Sequence, residues 1–191
     1  VLFRSEQDPD RMGGLRRRIP RTWAVFLVGV ITISGFPPFS GFFSKDEILA
    51  TVHAAHVPGH AWLYRVGIFT AALTAFYMFR LYFRTFEGRS RSGADVHSGI
   101  REPASTVLRP LYVLAFFSAL AGFFGLPQVY GDILGVKDSN SLAHFLEPVV
   151  GHHAFPPETP LLSLAGLAVL ASSAGAGLAW LLYAQIGRAH V

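Results

Sequence analysis

Long apolar runs without charge dominate the chain and set its elements. An α-helix rises about 1.5 Å per residue, so crossing a hydrocarbon core of about 30 Å takes about 20 residues. Four stretches meet or approach that length. The first begins at Thr22 and carries no charge until Lys45. The second, Ala61 to Phe83, has Arg65 and Arg80 near its ends, where long side chains reach the headgroups. The third runs from about Ser105 to Leu126, with Pro110 in its first turns, where a missing N–H costs least. The fourth, Leu161 to Ala184, holds no charge, and its stretch "ASSAGAG" (Ala171 to Gly177) offers a small-residue face to another helix. Between the last two, Pro127 to Pro160 reads as an irregular loop with a short helix around Ser141 to Leu146. The pattern predicts an all-α, polytopic transmembrane helix bundle with one Pro-broken helix and three further spans.

The first run is too long for one span. A continuous helix from Thr22 to Ala54 would measure about 50 Å. Pro37 and Pro38 remove two backbone donors and disfavour helix at Phe36, while Gly35 and Gly41 loosen the flanks. The reading is a half-helix from about Thr22 to Ser34, a break through Pro37 and Pro38, and a second half-helix from about Gly41 to Ala54. Non-helical backbone at membrane depth is tolerated only beside protein or a water-filled cavity, and such breaks mark ion and substrate sites in transporters. The competing reading makes the 23 residues from Thr22 to Ser44 one kinked span, with Lys45, Asp46 and Glu47 at the outer interface.

Composition supports the membrane class. Of 191 residues, 51% are hydrophobic and 15% charged, against about 25% charged in soluble domains. The absence of cysteine excludes disulfides and Cys-ligated clusters or zinc within this chain. The excess of basic residues is arginine confined to particular loops, which is a topology signal and not a nucleic-acid footprint. Arg11, Arg16, Arg17, Arg18 and Arg21 precede the first span, and Arg84, Arg89, Arg91 and Arg101 follow the second. The other two loops hold His53, His56 and His60, or Lys137 among Asp132, Asp138, Glu147 and Glu158. The positive-inside rule places the arginine-rich connections in the cytoplasm.

Lys45 is the candidate chemical group, with Asp46 as its tuning partner. In the first turns of the second half-helix it feels the positive end of that helix dipole and desolvation, which Asp46 and Glu47 oppose. An amine held between such influences can exchange a proton. His53, His56 and His60 have one-face spacing suited to a metal, but Pro58 and Gly59 interrupt the face, and a solvated loop is the expectation. Arg80 and Arg84 read as interfacial anchors. Phe76, Tyr77, Phe79, Tyr82 and Phe83 read as lipid-facing or packing surface, and His152 and His153 have no partner spacing.

The ends have a different character. "VLFRS" (Val1 to Ser5) and "IGRAHV" (Ile186 to Val191) can be encoded by DNA that is reverse-complementary over a shared stretch, as a sequencing adapter read in two directions would be. The expectation is native sequence from about Glu6 to Gln185, as one membrane domain over residues 6–185.

Three stretches carry a resemblance: "EQDPDRMGGLRRRIP" (Glu6 to Pro20), "GFPPFSGFFSKDEIL" (Gly35 to Leu49) and "LTAFYMFRLYFRTFEG" (Leu73 to Gly88). Together they resemble the antiporter-like subunits of bacterial proton-translocating NADH:quinone oxidoreductase, respiratory complex I, of the subunit L type that mitochondria call chain 5. The resemblance implies a C-terminal-side fragment of a subunit built on two inverted repeats, lacking the family's glutamate–lysine pair, central-channel lysine and lateral helix. It implies that Lys45 lies at the outward exit of a proton path with Asp46 beside it, in a multi-pass protein of the bacterial inner membrane. It also implies an enzyme subunit without redox chemistry of its own, with NADH, FMN, iron–sulfur clusters and quinone held by partner subunits. Expected partners are other complex I membrane subunits and the lipid bilayer, with no nucleic acid and no metal. Alternatives are a subunit of a multisubunit cation/proton antiporter or membrane-bound hydrogenase, and a purely structural membrane anchor.

Overall fold

A computed structural model describes residues 8–92, 99–136, 139–151 and 160–184. The expectations for Val1 to Ser5, Ile186 to Val191, Lys137, Asp138, His152, His153 and Glu158 lie outside the described residues. Two short 3-10 turns, Pro9–Arg11 and Leu15–Arg17, lead into α1 (Pro20–Ser34). After it come α2 (Ser40–Ala54), α3 (His60–Phe86) and α4 (Ser105–Leu120), which tightens into a 3-10 stretch at Ala121–Gly125. Two short helices, α5 (Gln128–Leu134) and α6 (Ser141–Val150), precede α7 (Leu161–Ala179), which ends in a π turn at Trp180–Ala184. No strand occurs among the described residues.

Three segments are long and apolar enough to cross a membrane: His60–Phe86, Ser105–Gly125 and Leu161–Ala184. Helix α1, at 15 residues, is about 22 Å long and falls short. Packing shows what completes it. Near the start of α1, Trp23 Nε1 donates to the Tyr82 hydroxyl at 3.0 Å and Phe26 meets Phe86 with ring centroids 5.1 Å apart. In α2, Leu49 lies against Gly67, and the His53 ring stands edge-on to Tyr64 at 5.1 Å. The two half-helices therefore line opposite halves of α3, and together they make one span.

The other face of α3 carries α7. A Cβ on Gly175 would overlap the Ala72 carbonyl, so the small-residue stretch read from the sequence lets the two backbones touch. Helix α4 packs beside α1, and its 3-10 end meets α2, where Gly122 admits Phe43 and the Ser40 backbone.

The arginine-bearing segments gather at one end. Gly14 N–H donates to the Glu87 carbonyl, Arg84 pairs with Asp10 at 2.7 Å, and Arg16 pairs with Glu87 at 3.2 Å. Glu102, 80 residues downstream, closes the first turn of α1. Its Oε1 accepts from Arg21 N–H at 2.6 Å and its Oε2 from the Thr22 hydroxyl at 2.8 Å. That replaces the missing side-chain cap at Ile19. Beneath it, Leu15, Val30, Tyr82 and Phe86 form a buried cluster.

Four expectations change. Pro110 sits six residues into α4, in the second turn, where it removes an i→i−4 bond. Arg80 lies well inside α3 because that helix continues to Phe86. The loop from Pro127 contains α5, unanticipated because Gly131 and Asp132 read as turn formers, and α6 runs on to Val150. Gly41 does not loosen a flank: it lies within α2, where a Cβ would overlap the Thr32 carbonyl, so it lets the start of α2 pass against the last turn of α1.

Gly41→Ala is therefore expected to destabilise the intact protein by about 1–3 kcal/mol, because the obstacle is backbone. Gly29→Ala, with nothing within 4 Å of the added Cβ, is expected to be neutral or mildly stabilising. Thermal unfolding of both variants in detergent checks the pair.

Candidate functional site

The break begins with an economical helix end. Gly35 takes a left-handed conformation (φ +79°), its N–H donates to Thr32 O at 3.0 Å, and Phe36 N–H donates to Ile31 O at 3.3 Å. This Schellman arrangement satisfies two of the last carbonyls of α1. The carbonyl of Ile33 is taken by Lys45, whose Nζ donates to it across the break. The lysine stem lies over Gly35, where a Cβ would come within 3.0 Å of Lys45 Cδ. Gly35 thus serves twice, supplying the positive φ and the room. Residues Gly35 to Phe39 are non-helical, with a cis Pro37–Pro38 peptide, before α2 starts at Ser40.

Lys45 therefore meets a different dipole from the one its position in α2 suggests. Its ammonium sits at the C-terminal, negative end of α1, where a cation is stabilised. It forms no ion pair with an acid among the described residues.

Asp46 faces away from Lys45, as consecutive helical residues do. It is 3% exposed, and its Oδ2 accepts from the Tyr130 hydroxyl at 2.6 Å. Its Oδ1 is buried without a hydrogen-bond partner among the described residues, as is the hydroxyl of Ser34 beside the break. Glu47 is exposed. The expected Lys45–Asp46 partnership is thus one of sequence adjacency, with each charge directed to a different helix.

Tyr130, on α5 outside the spans, packs against Phe42 and Phe43, with ring centroids 5.8 and 6.1 Å away. Burial and the Asp46 carboxylate push its phenol above the ordinary tyrosine range, so it remains a donor. Sequence reasoning missed it because 84 positions separate it from Asp46, and no local pattern joins them.

The remaining candidates separate. His53 lies on α2, His56 in the connecting turn and His60 at the start of α3. No three His, Asp or Glu side chains converge as a metal site among the described residues. Arg80 and Arg84 lie over the Tyr183 ring at 5.5 and 5.6 Å. Of the α3 aromatics, Tyr82 is buried and Tyr77 exposed.

Apolar spans around a broken helix, with a lysine bonded into the break, define a polytopic all-α membrane protein. Residues 3–74 match the transmembrane family described as NADH:quinone oxidoreductase/Mrp antiporter, and the chain belongs to that family. It is 42% identical over 133 residues to the chloroplastic NAD(P)H-quinone oxidoreductase subunit 5 of Chaetosphaeridium globosum, covering 66% of this chain and 19% of the relative. It is 40% identical over 166 residues to NAD(P)H-quinone oxidoreductase chain 5 of Synechocystis sp., covering 86% and 21%. It is 30% identical over 210 residues to NADH-quinone oxidoreductase subunit L of Neisseria meningitidis, covering 95% and 30%. The chain spans only about a fifth to a third of the length of these relatives.

Gly35→Ala is expected to cost about 1–2 kcal/mol through the positive φ alone and to displace the Lys45 stem. Thermal unfolding of the intact protein measures the first effect. Loss of protection of Lys45 against amine-modifying reagents, read by mass spectrometry, measures the second.

Proposed function

We propose that the chain is part of a proton-translocating membrane subunit of an NADH:quinone oxidoreductase, with Lys45 as its proton relay. The observation that carries this is the Lys45 Nζ bond to the Ile33 carbonyl at the broken helix. The ammonium form completes the end of α1, and loss of its proton weakens that bond, so the charge of the amine and the geometry of the break are coupled. A lysine can release its proton where an arginine cannot, which suits transfer better than permanent capping. Asp46, one residue away and turned toward α5, is the neighbouring acceptor on the side away from the arginine-rich end.

The names of the relatives support the oxidoreductase assignment over a cation/proton antiporter, which the family description also covers. On this reading the other membrane subunits of complex I and the lipid bilayer are the partners. NADH, FMN, iron–sulfur clusters and quinone belong to other subunits, and the redox reaction occurs there. The arginine-rich end faces the cytoplasm of a bacterium, and protons leave on the far side of its inner membrane. Helices α1 to α7 form one membrane domain. The half-buried position of Lys45 against α1 weighs against a purely structural anchor with an interfacial lysine.

A positioned proton-transfer group contributes about 100-fold or more. Lys45→Ala in the assembled complex is therefore expected to reduce pumping through this subunit by about that factor. Lys45→Arg, which keeps a donor for the Ile33 carbonyl, is expected to preserve assembly and still fail to pump. Proton uptake driven by NADH in inverted membrane vesicles reads both, with assembly checked on native gels. Normal pumping by assembled Lys45→Arg rejects the relay.

A further inference from the structure

The α5 turn is built to hold one hydroxyl in place. Ser139 Oγ donates to the Leu126 carbonyl at 3.0 Å, so a residue beyond α5 is tied to the residue just before it. Gly131 presses against Ser139 so closely that a Cβ would overlap its hydroxyl. Gly135, with φ +70°, ends the helix, and its N–H donates to Asp132 O. Within this clamp Tyr130 lies on the cluster of Phe42, Phe43, Leu126 and Ala165 and reaches the otherwise buried Asp46. A ring packed only for its area has no need of a hydroxyl there. The hydroxyl engages one carboxylate oxygen and leaves the other without a partner among the described residues.

We propose that Tyr130 is a positioning residue for proton transfer: clamped in the turn that follows α4, it fixes Asp46 so that the carboxyl group takes and gives its proton through Oδ1 alone. The inference rests on the relay reading of Lys45 and Asp46. The Tyr130 hydroxyl donates to Oδ2 throughout. A proton arriving on Oδ1 makes the neutral acid, and its departure from the same oxygen restores the carboxylate, so Tyr130 itself is never deprotonated. The seating of α5 against α2 then governs proton passage at Asp46.

Few titratable groups lie near Asp46. Lys45 and Glu47 flank it on α2, Tyr64 of α3 lies near enough to feel its charge, and Tyr130 comes from α5. Helix α1 beyond Thr22, α4 beyond Tyr112 and α7 from Leu161 to Ala179 carry no titratable side chain. Removing the Tyr130 hydroxyl therefore changes one interaction in a sparse environment.

Tyr130→Phe keeps the ring in its Phe42–Phe43 seat and deletes the donor. In the assembled complex, the pH profile of proton pumping is expected to move its acid limb up by about one to two pH units, since a hydrogen bond to a charged group is worth about 1.5–3 kcal/mol. Asp46→Asn and the double variant complete a cycle, in which Tyr130→Phe adds no further loss once Asp46 is gone. A wild-type pH profile for assembled Tyr130→Phe, or losses that simply add, overturns the inference. Lys45→Arg measured alongside separates the outcomes. If it fails to pump while Tyr130→Phe behaves as wild type, the relay stands and the positioning role falls. If Lys45→Arg pumps normally, both fall.

Discussion

The structure depends on how the carbonyls at the end of α1 are satisfied. A helix that stops inside a bilayer leaves its last carbonyls without water to receive them, and each unpaired group there costs several kcal/mol. Ile31 and Thr32 are closed by the backbone through Gly35 and Phe36. Ile33 is closed by the Lys45 ammonium. The lysine therefore completes the helix end and is the only lysine among the described residues. On the proposed reading, the negative end of the α1 dipole beside the half-buried Lys45 reduces the penalty of holding its charge at membrane depth.

From that contact follows the division of the first span. Helix α1 is anchored at its start by Glu102 and by the Trp23–Tyr82 bond, both beside the arginine-rich end. Helix α2 is anchored along the other half of α3 by Leu49 and His53. Gly41 allows the halves to pass each other closely enough for Lys45 to reach back to Ile33. The two charges of the Lys45–Asp46 dipeptide are then directed to different elements, the amine to α1 and the carboxylate to α5.

Much of this was legible in the sequence where the signal is local. Pro37, Pro38 and Gly35 fix the break, and the observed bounds, Ser34 before it and Ser40 after it, fall within a residue of those read from the chain. The small residues around Gly175 and the uncharged spans were readable because length and side-chain size alone decide them. What was not readable depends on pairing across the chain. The Glu102 cap reaches α1 from 80 positions away, and Tyr130 reaches Asp46 from 84. The dipole acting on Lys45 is hidden for the same reason: local pattern reveals the residue's own helix, whereas the neighbouring helix end is set by tertiary packing. Helix α5 was hidden because Gly131, a turn former in isolation, is there to admit Ser139.

The most direct measurement is a cryo-EM structure of the intact assembly in lipid nanodiscs, resolved well enough to place the Lys45 side chain. The account predicts an unwound backbone through Gly35 to Phe39 at hydrocarbon depth, with the Lys45 nitrogen on the Ile33 carbonyl. A continuous helix through those residues, with the nitrogen in water beyond the headgroups, would contradict it.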